Sequence, residues 1–386
     1  MSNTAKWILG VAIVLLVIIG VVAFGSDTNQ TSQNKEPIKI GGTFALSDTL
    51  AFLGKNERNG WKMAIDEINE DGGVNGRDLV LVAEDNQGKA KQAANSVSKL
   101  LNVDDVDIVF SAFTHITKAV KDVVTEAETP LLYHASLPDI AESSEYAFRD
   151  YFDNVDNGKK MAEHANNEGY ESVAILGENN ESCKQMMTAV KENINADLTN
   201  EEYFNPDTSD FSTVLTKIRS NNPEAMVLCS FRHNQIIMPE MDQLEMLDIP
   251  TIQFAPQFLP VADTSEMREL YAENNTVGTW YGFAKGSPDQ LAQEFINKYE
   301  KRFGSKPSPD AGFAYDDAYV VADALDGCAD KSEIDNQCFI ENMLKTDHQG
   351  VAGPLSFDDQ GLSNRDVLLI EVVNGEWQEL SASQSQ

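Results

Sequence analysis

The stretch from Ile38 to Asp85, IKIGGTFALSDTLAFLGKNERNGWKMAIDEINEDGGVNGRDLVLVAED, decides the fold. Ile38 to Phe44 is a short apolar run that reads as a strand. Trp61, Ala64, Ile65 and Ile68 then recur at helical spacing and predict a helix with one apolar face. Gly72-Gly73-Val74-Asn75-Gly76 marks a turn, and Asp78 to Asp85 reads as the next strand.

The same alternation continues outward. A helix carrying Ala90, Ala93, Ala94, Val97 and Leu101 precedes the strand DIVFSAF, and a helix over 117–128 stops before Pro130 and leads to LLYHAS. The strands are apolar runs rather than alternating ones, and helices join them. That pattern predicts a parallel sheet covered on both faces. The pattern then restarts with a helix over 157–168, the strand SVAILGEN, a helix from Glu181, a strand over 201–204 and a helix bearing Phe211, Val214, Leu215 and Ile218. AMVLCSF, a helix over 235–247, TIQFAP and TVGTWYGF follow. Three helical stretches in sequence, 288–303, 311–327 and 333–345, break the alternation before two strands, PLSFDDQG and VLLIEVVNGEW. A late helical block must return to an earlier sheet. The reading is an α/β chain of two Rossmann-like lobes, discontinuous in sequence, facing each other across a cleft. Ligands of open parallel sheets sit beyond the carboxyl ends of the strands, so the loops there are the candidate binding loops.

The chain has 386 residues, more than one ordinary domain needs, and a net charge of −33. Such a surface repels phosphate backbones and excludes nucleic acid as a partner. The acids are scattered, which describes a solvated coat rather than an acidic tail. Trp7 to Phe24 is an uncharged run of 18 residues preceded by Lys6. Two readings compete for residues 1–25: a signal peptide cleaved near Ala23-Phe24-Gly25, or a membrane anchor, which the length of the run favours. Both place the rest of the chain outside the cytoplasm. No cysteine follows the run for a lipid anchor, and residues 26–37 read as a polar linker.

The four cysteines show no metal-ligand spacing. Cys328 and Cys338, ten apart across a polar stretch, suit a local disulfide in an oxidising compartment, whereas Cys229 in AMVLCSF reads as an inert core residue. His115 and His134 lack a third ligand at fitting spacing and read as hydrogen-bonding loop histidines, so no metal site is expected. Trp280 and Phe283 read as core, and Asp358-Asp359 as turn chemistry. No GxSxG, HExxH, GxGxxG or GxxxxGK[ST] occurs, so neither an enzyme nor a cofactor is expected.

The quoted block, with FAYDDAYVVADAL and GVAGPLSFDDQG further on, resembles the branched-chain amino acid (Leu/Ile/Val) type of ABC-transporter substrate-binding protein, from Ile38 to Trp377. The resemblance implies the type I periplasmic-binding-protein architecture, with crossings near residues 155, 281 and 365 and hinge closure on a ligand. One lobe would comprise 38–155 plus 282–365, the other 156–281 plus 366–380, with 381–386 as a tail. It implies a small-molecule solute and an ABC permease as partners, with no cofactor. An anchored sensor ectodomain of the same fold is the alternative.

By the same resemblance, the ligand carboxylate would meet Thr114 and His115 after the third strand and Ala135 and Ser136 after the fourth, while Phe52 and Leu53 close over its side chain. Leu137 stands where the family usually has Thr. The second lobe would contribute Ser182, Phe231, Arg232 and Gln257. It departs from the family pattern: Glu178 to Cys183 replaces a Tyr-Gly pair, Phe231-Arg232-His233 replaces aromatics, and Gln257 replaces the Glu that holds the ammonium. An amide offers only a dipole to a cation. These residues suit an acidic or amide-like solute better than leucine, with Glu178 or Glu181 able to supply an anion for an amino acid.

Overall fold

The computed structural model describes residues 35–48, 50–257, 259–283, 289–328 and 334–380. The apolar run 7–24, most of the linker and the tail 381–386 lie outside the described residues. The first sheet holds β1 (Ile38–Phe44), β2 (Leu79–Asp85), β3 (Ile108–Ala112), β4 (Leu131–His134) and β5 (Ala147–Arg149) in the order β2-β1-β3-β4-β5. All its pairings are parallel. Helices α1 (Ala51–Glu70), α2 (Ala90–Lys99) and α3 (Thr114–Glu126) connect the strands. β3 is buried at every residue, which is why its sequence is an unbroken apolar run.

After β5 the chain passes to a second sheet. α4 (Asn154–Asn167) leads to β6 (Ser172–Glu178), α5 (Glu181–Asn193), β7 (Asp197–Phe204), α6 (Ser212–Ser220), β8 (Ala225–Cys229), α7 (Asn234–Gln243), β9 (Thr251–Phe254), α8 (Ser265–Glu273) and β10 (Val277–Trp280). These five strands are also parallel. The chain then returns as α9 (Gln290–Phe303), α10 (Pro309–Asp326) and α11 (Asn336–Met343). α10 packs along α1 so closely that a Cβ on Gly60 would stand 2.1 Å from the Ala311 carbonyl oxygen. Tyr299 Oη donates to Asn56 Oδ1 at 2.9 Å, tying α9 to the same helix. The short hairpin β11 (His348–Gly350) and β12 (Gly353–Leu355) follows. A last crossing delivers β13 (Leu368–Val373) and β14 (Glu376–Glu379) to the second sheet, where β13 pairs antiparallel with β10 and β14 antiparallel with β13. That sheet therefore reads β14-β13-β10-β9-β8-β6-β7.

Several elements differ from the sequence reading. β5 has only three residues, too few to show any period. α4 starts at Asn154 because the Asp153 side chain caps it, accepting from Val155 N and Asp156 N. α10 starts at Pro309, whose missing N–H costs nothing at a helix start. PLSFDDQG keeps only β12 and an isolated bridge from Phe357 to Ser363.

Cys229 is not an inert core thiol: it is bonded to Cys183, 46 residues away. No spacing signalled this pair. β8 lies beside β6 in the sheet, so its end meets the helix that leaves β6. Cys328 and Cys338 are also bonded, across ten residues. Loop-closure entropy makes the longer loop worth about 4 kcal/mol and the shorter about 2.7 kcal/mol. Chemical denaturation of the Cys183→Ala/Cys229→Ala variant should show the larger loss of stability, and a larger loss from the Cys328→Ala/Cys338→Ala variant would refute this ordering.

Candidate functional site

The candidate loops leave the carboxyl ends of β3 and β4 in one lobe and of β6, β8 and β9 in the other. Two of them begin on uncommon backbone: Phe113 has φ 65° directly after β3, and Ala255 has φ 38° directly after β9. Bulky residues rarely hold positive φ, and such positions concentrate at ligand sites. Phe113 turns the chain so that Thr114 opens α3. No side chain caps that helix, which leaves its first N–H groups pointing toward the cleft end of the sheet. A helix N-terminus with free N–H groups attracts carboxylates.

Ala135 and Ser136 follow β4 and are buried. The buried Arg149 guanidinium supports their loop from behind: Nη1 donates to the Ser136 carbonyl at 3.3 Å and to Asp153 Oδ2 at 3.0 Å. Asn154 Nδ2 donates to Ser136 Oγ at 3.1 Å and to Gln185 Oε1 at 2.8 Å. Ser136 Oγ lies 3.4 Å from Ser182 Oγ on the opposite lobe. Nearby, Lys118 Nζ stands 3.6 Å from Glu181 Oε2 across the same gap. Ser136 and Ser182, named from sequence, are thus brought together, while Asn154, Gln185 and Arg149 were missed. Only the position of Asp153-Asn154, just ahead of a helix, hinted at them.

On the second lobe Glu178 is buried, and its Oε2 accepts from Phe231 N at 3.3 Å and stands 3.6 Å from His233 Nδ1. It orders the β8 loop. Phe231 is half-buried against Phe254, with ring centroids 5.0 Å apart. Arg232 is exposed. His115 is exposed and its Nε2 lies 3.1 Å from the Gly88 carbonyl, so it braces the loop after β2. Leu53 is buried on the inner side of α1. Phe52 and Gln257 share the wall of a cavity of about 460 Å³ that both lobes line, with Trp280, Tyr281, Asp310 and Trp377 among its other walls.

His134, expected as a loop residue, ends β4 inside a buried ion network. Its Nε2 lies 2.9 Å from Asp317 Oδ2 and its Nδ1 3.6 Å from Glu57 Oε1. Arg365 Nε and Nη2 donate to the two oxygens of Asp150 at 2.8 and 2.6 Å, and the guanidinium lies 4.8 Å over the Phe313 ring. Tyr151 Oη donates to Asp310 Oδ1 at 3.1 Å. Asp150, Tyr151, Tyr281 and Arg365 all sit where the chain passes between the sheets. The signal was in FAYDDAYVVADAL, where two adjacent acids interrupt a helix apolar on every side. His134, Asp150 and Asp317 lie close enough to hold a metal ion. Asp150 is already satisfied by the guanidinium, which a metal would have to displace.

Burial pushes the Glu57 carboxyl up to about 7, against the pull of His134. Burial alone would lower His134, but Asp317 and Glu57 outweigh it and raise the imidazole to about 10. Burial would raise Asp150, but Arg365 overrides it and holds the carboxyl below its usual range. Glu57 and His134 both hold protons more tightly in the folded chain than at their ordinary values of 4.5 and 6.5. The folded state therefore binds more protons than the unfolded one, and stability falls as pH rises from about 5 to about 10. Asp150 contributes with opposite sign, only at more acid pH. Thermal melts at pH 6 and pH 9.5 should show the lower midpoint at high pH, with a smaller difference in Glu57→Gln. A variant with the wild-type difference would remove Glu57 from the linkage.

Residues 37–376 match the family model described as periplasmic binding protein. A Leu/Ile/Val-binding protein homolog of Brucella melitensis is 26% identical over 217 residues, which span 55% of this chain and 59% of the relative. The branched-chain amino acid transporter substrate-binding protein LivJ of Streptococcus pneumoniae, solved with isoleucine, superposes with a TM-score of 0.77 at 25% identity, covering 89% of this chain and 99% of that one. A solute-binding protein of an ABC transporter from R. palustris, solved with benzoate, gives 0.75 at 15% identity over 89% and 96% of the two chains. Among the described residues no helix is long and apolar enough to cross a membrane.

Proposed function

The chain belongs to the periplasmic binding protein family, and on that footing we propose that it is the solute receptor of an ABC importer, closing on a small carboxylate-bearing solute such as an amino acid. It is a binding protein that works outside the cytoplasm. The observation that carries the ligand reading is the meeting of Ser136 and Ser182 from opposite lobes at 3.4 Å, in front of the buried Arg149. Hydroxyls bind a carboxylate without adding a charge that must itself be desolvated. The uncapped start of α3 at Thr114 supplies further N–H donors. Isoleucine and benzoate, held by two of the similar proteins, share the carboxylate and little else.

In this reading Thr114, Ala135, Ser136 and Ser182 receive the carboxylate, and Phe52, Phe231 and Gln257 face the remainder of the solute. The exposed Arg232 at the rim draws in an anionic group and acts on the association rate. The lobes 38–155 plus 282–365 and 156–281 plus 366–380 move about their crossings, and contacts from both favour closure. The uncharged run 7–24 serves export, as an anchor or as a leader.

Isothermal titration against amino acids, dicarboxylates and aromatic acids tests this. Ser136→Ala should weaken the solute that binds by about 1.5–3 kcal/mol, the worth of a hydrogen bond to a charged group. Unchanged affinity would move the carboxylate elsewhere, and no binding across the panel would sink the receptor reading.

A further inference from the structure

The cavity of about 460 Å³ is larger than a branched-chain amino acid requires, and its chemistry is one-sided. Its aromatic walls are Phe52, Trp280, Tyr281, Phe283 and Trp377. Four carboxylates line it, Asp263, Glu300, Asp310 and Glu376, against one ammonium, Lys306, among the described residues. Asp263 is occupied: Oδ1 accepts from Arg268 Nη1 at 2.8 Å and from Trp377 Nε1 at 3.0 Å. Asp310 differs. It is 1% exposed, Tyr151 takes only its Oδ1, and Oδ2 has no hydrogen-bond partner among the described residues. A buried carboxylate oxygen without a partner is costly unless something positive completes it.

Aromatic faces present negative charge, and a cation over them is attracted most where water is excluded. An anion would meet both the aromatic lining and the acids. A neutral aliphatic side chain would leave Asp310 Oδ2 without a partner, with only the charge of His134 to offset it. Phe52 and Gln257 line this cavity, whereas Thr114, Ala135, Ser136 and Ser182 do not. Since the family resemblance puts Phe52 and Gln257 in the cleft as well, the solute would reach from the Ser136 loop past these two residues into it.

We infer that the cavity receives an organic cation, an alkylated ammonium group carried by the solute, held by the aromatic walls and Asp310. This rests on the receptor reading and specifies the solute as a zwitterion with a bulky cationic end. Gln257 carries an amide oxygen in the same lining, and Lys306 is the one opposing charge there among the described residues.

The test is isothermal titration of the full chain with glycine betaine, carnitine and choline beside isoleucine and benzoate. A quaternary ammonium compound should bind. Asp310→Asn and Phe52→Ala should each weaken it by about tenfold, and Gln257→Glu, at a half-buried position that tolerates the change, should strengthen it. Asp310→Asn keeps the acceptor for Tyr151, so a folding defect is not expected. Isoleucine or benzoate binding with no quaternary ammonium bound would overturn this inference and leave the receptor standing. Ammonium binding indifferent to Asp310→Asn and Gln257→Glu would overturn it as well. Silence from every probe would overturn both.

Discussion

Arg365 reaches the two oxygens of Asp150 from more than two hundred residues away in sequence, and both groups are almost fully shielded from water. Neither charge is tolerable there alone: stripping one partner from such a pair typically costs about 3–5 kcal/mol, because the other stays buried and uncompensated. The pair therefore fixes the last crossing of the chain against the first. Tyr151, next in line after Asp150, then places its hydroxyl on Asp310 at the head of α10. Phe313 on that helix lies under the guanidinium. His134 at the end of β4 completes the assembly through Asp317. The ionic pair thus lies in one buried cluster with the end of β4 and the head of α10, next to the loop carrying Ala135 and Ser136.

The two scales of electrostatics in this protein act in opposite directions. The surface carries a large negative excess, but screening confines its reach to about 8 Å at physiological ionic strength. Inside the cleft, Arg149 lies behind the Ser136 loop and the uncapped start of α3 adds its N–H groups. Short-range hydrogen bonds in a partly dry site outweigh a distant, screened field. An acidic coat and affinity for a carboxylate are therefore compatible, at some cost to the rate of encounter.

What could be read from the residues follows from how local each signal is. β3 and β8 are buried throughout, so their apolar runs announce them. The helical face of Trp61, Ala64, Ile65 and Ile68 is likewise local, and all four are buried. β5 is too short to carry a pattern and exists only because β4 offers it an edge. The Cys183–Cys229 bond depends on which strands are neighbours, which no spacing encodes. In the candidate site, the loops that carry Thr114, Ser136 and Ser182 follow from the rule that ligands of parallel sheets bind beyond the strand ends, while the residues themselves were named through the family resemblance. Asn154 and Arg149 were not, since their roles come from contacts across a crossing. Leu53 and His115 were named in the same loops and helix, but helix phase turns the first inward and the Gly88 carbonyl holds the second aside.

The interleaving of the chain also shapes how it can be made. A nascent polypeptide that has emerged only as far as β10 has every parallel strand of both sheets. It still lacks Arg365, leaving Asp150 without its counter-ion, and it leaves the β10 edge open where β13 belongs. Contacts so distant in sequence form late, because their loop entropy must be met before they repay it. Neither half can lock on its own, so the final structure is reached only when the whole length is available. During that interval Asp150 and the β10 edge wait for partners that only the last sixth of the chain can supply.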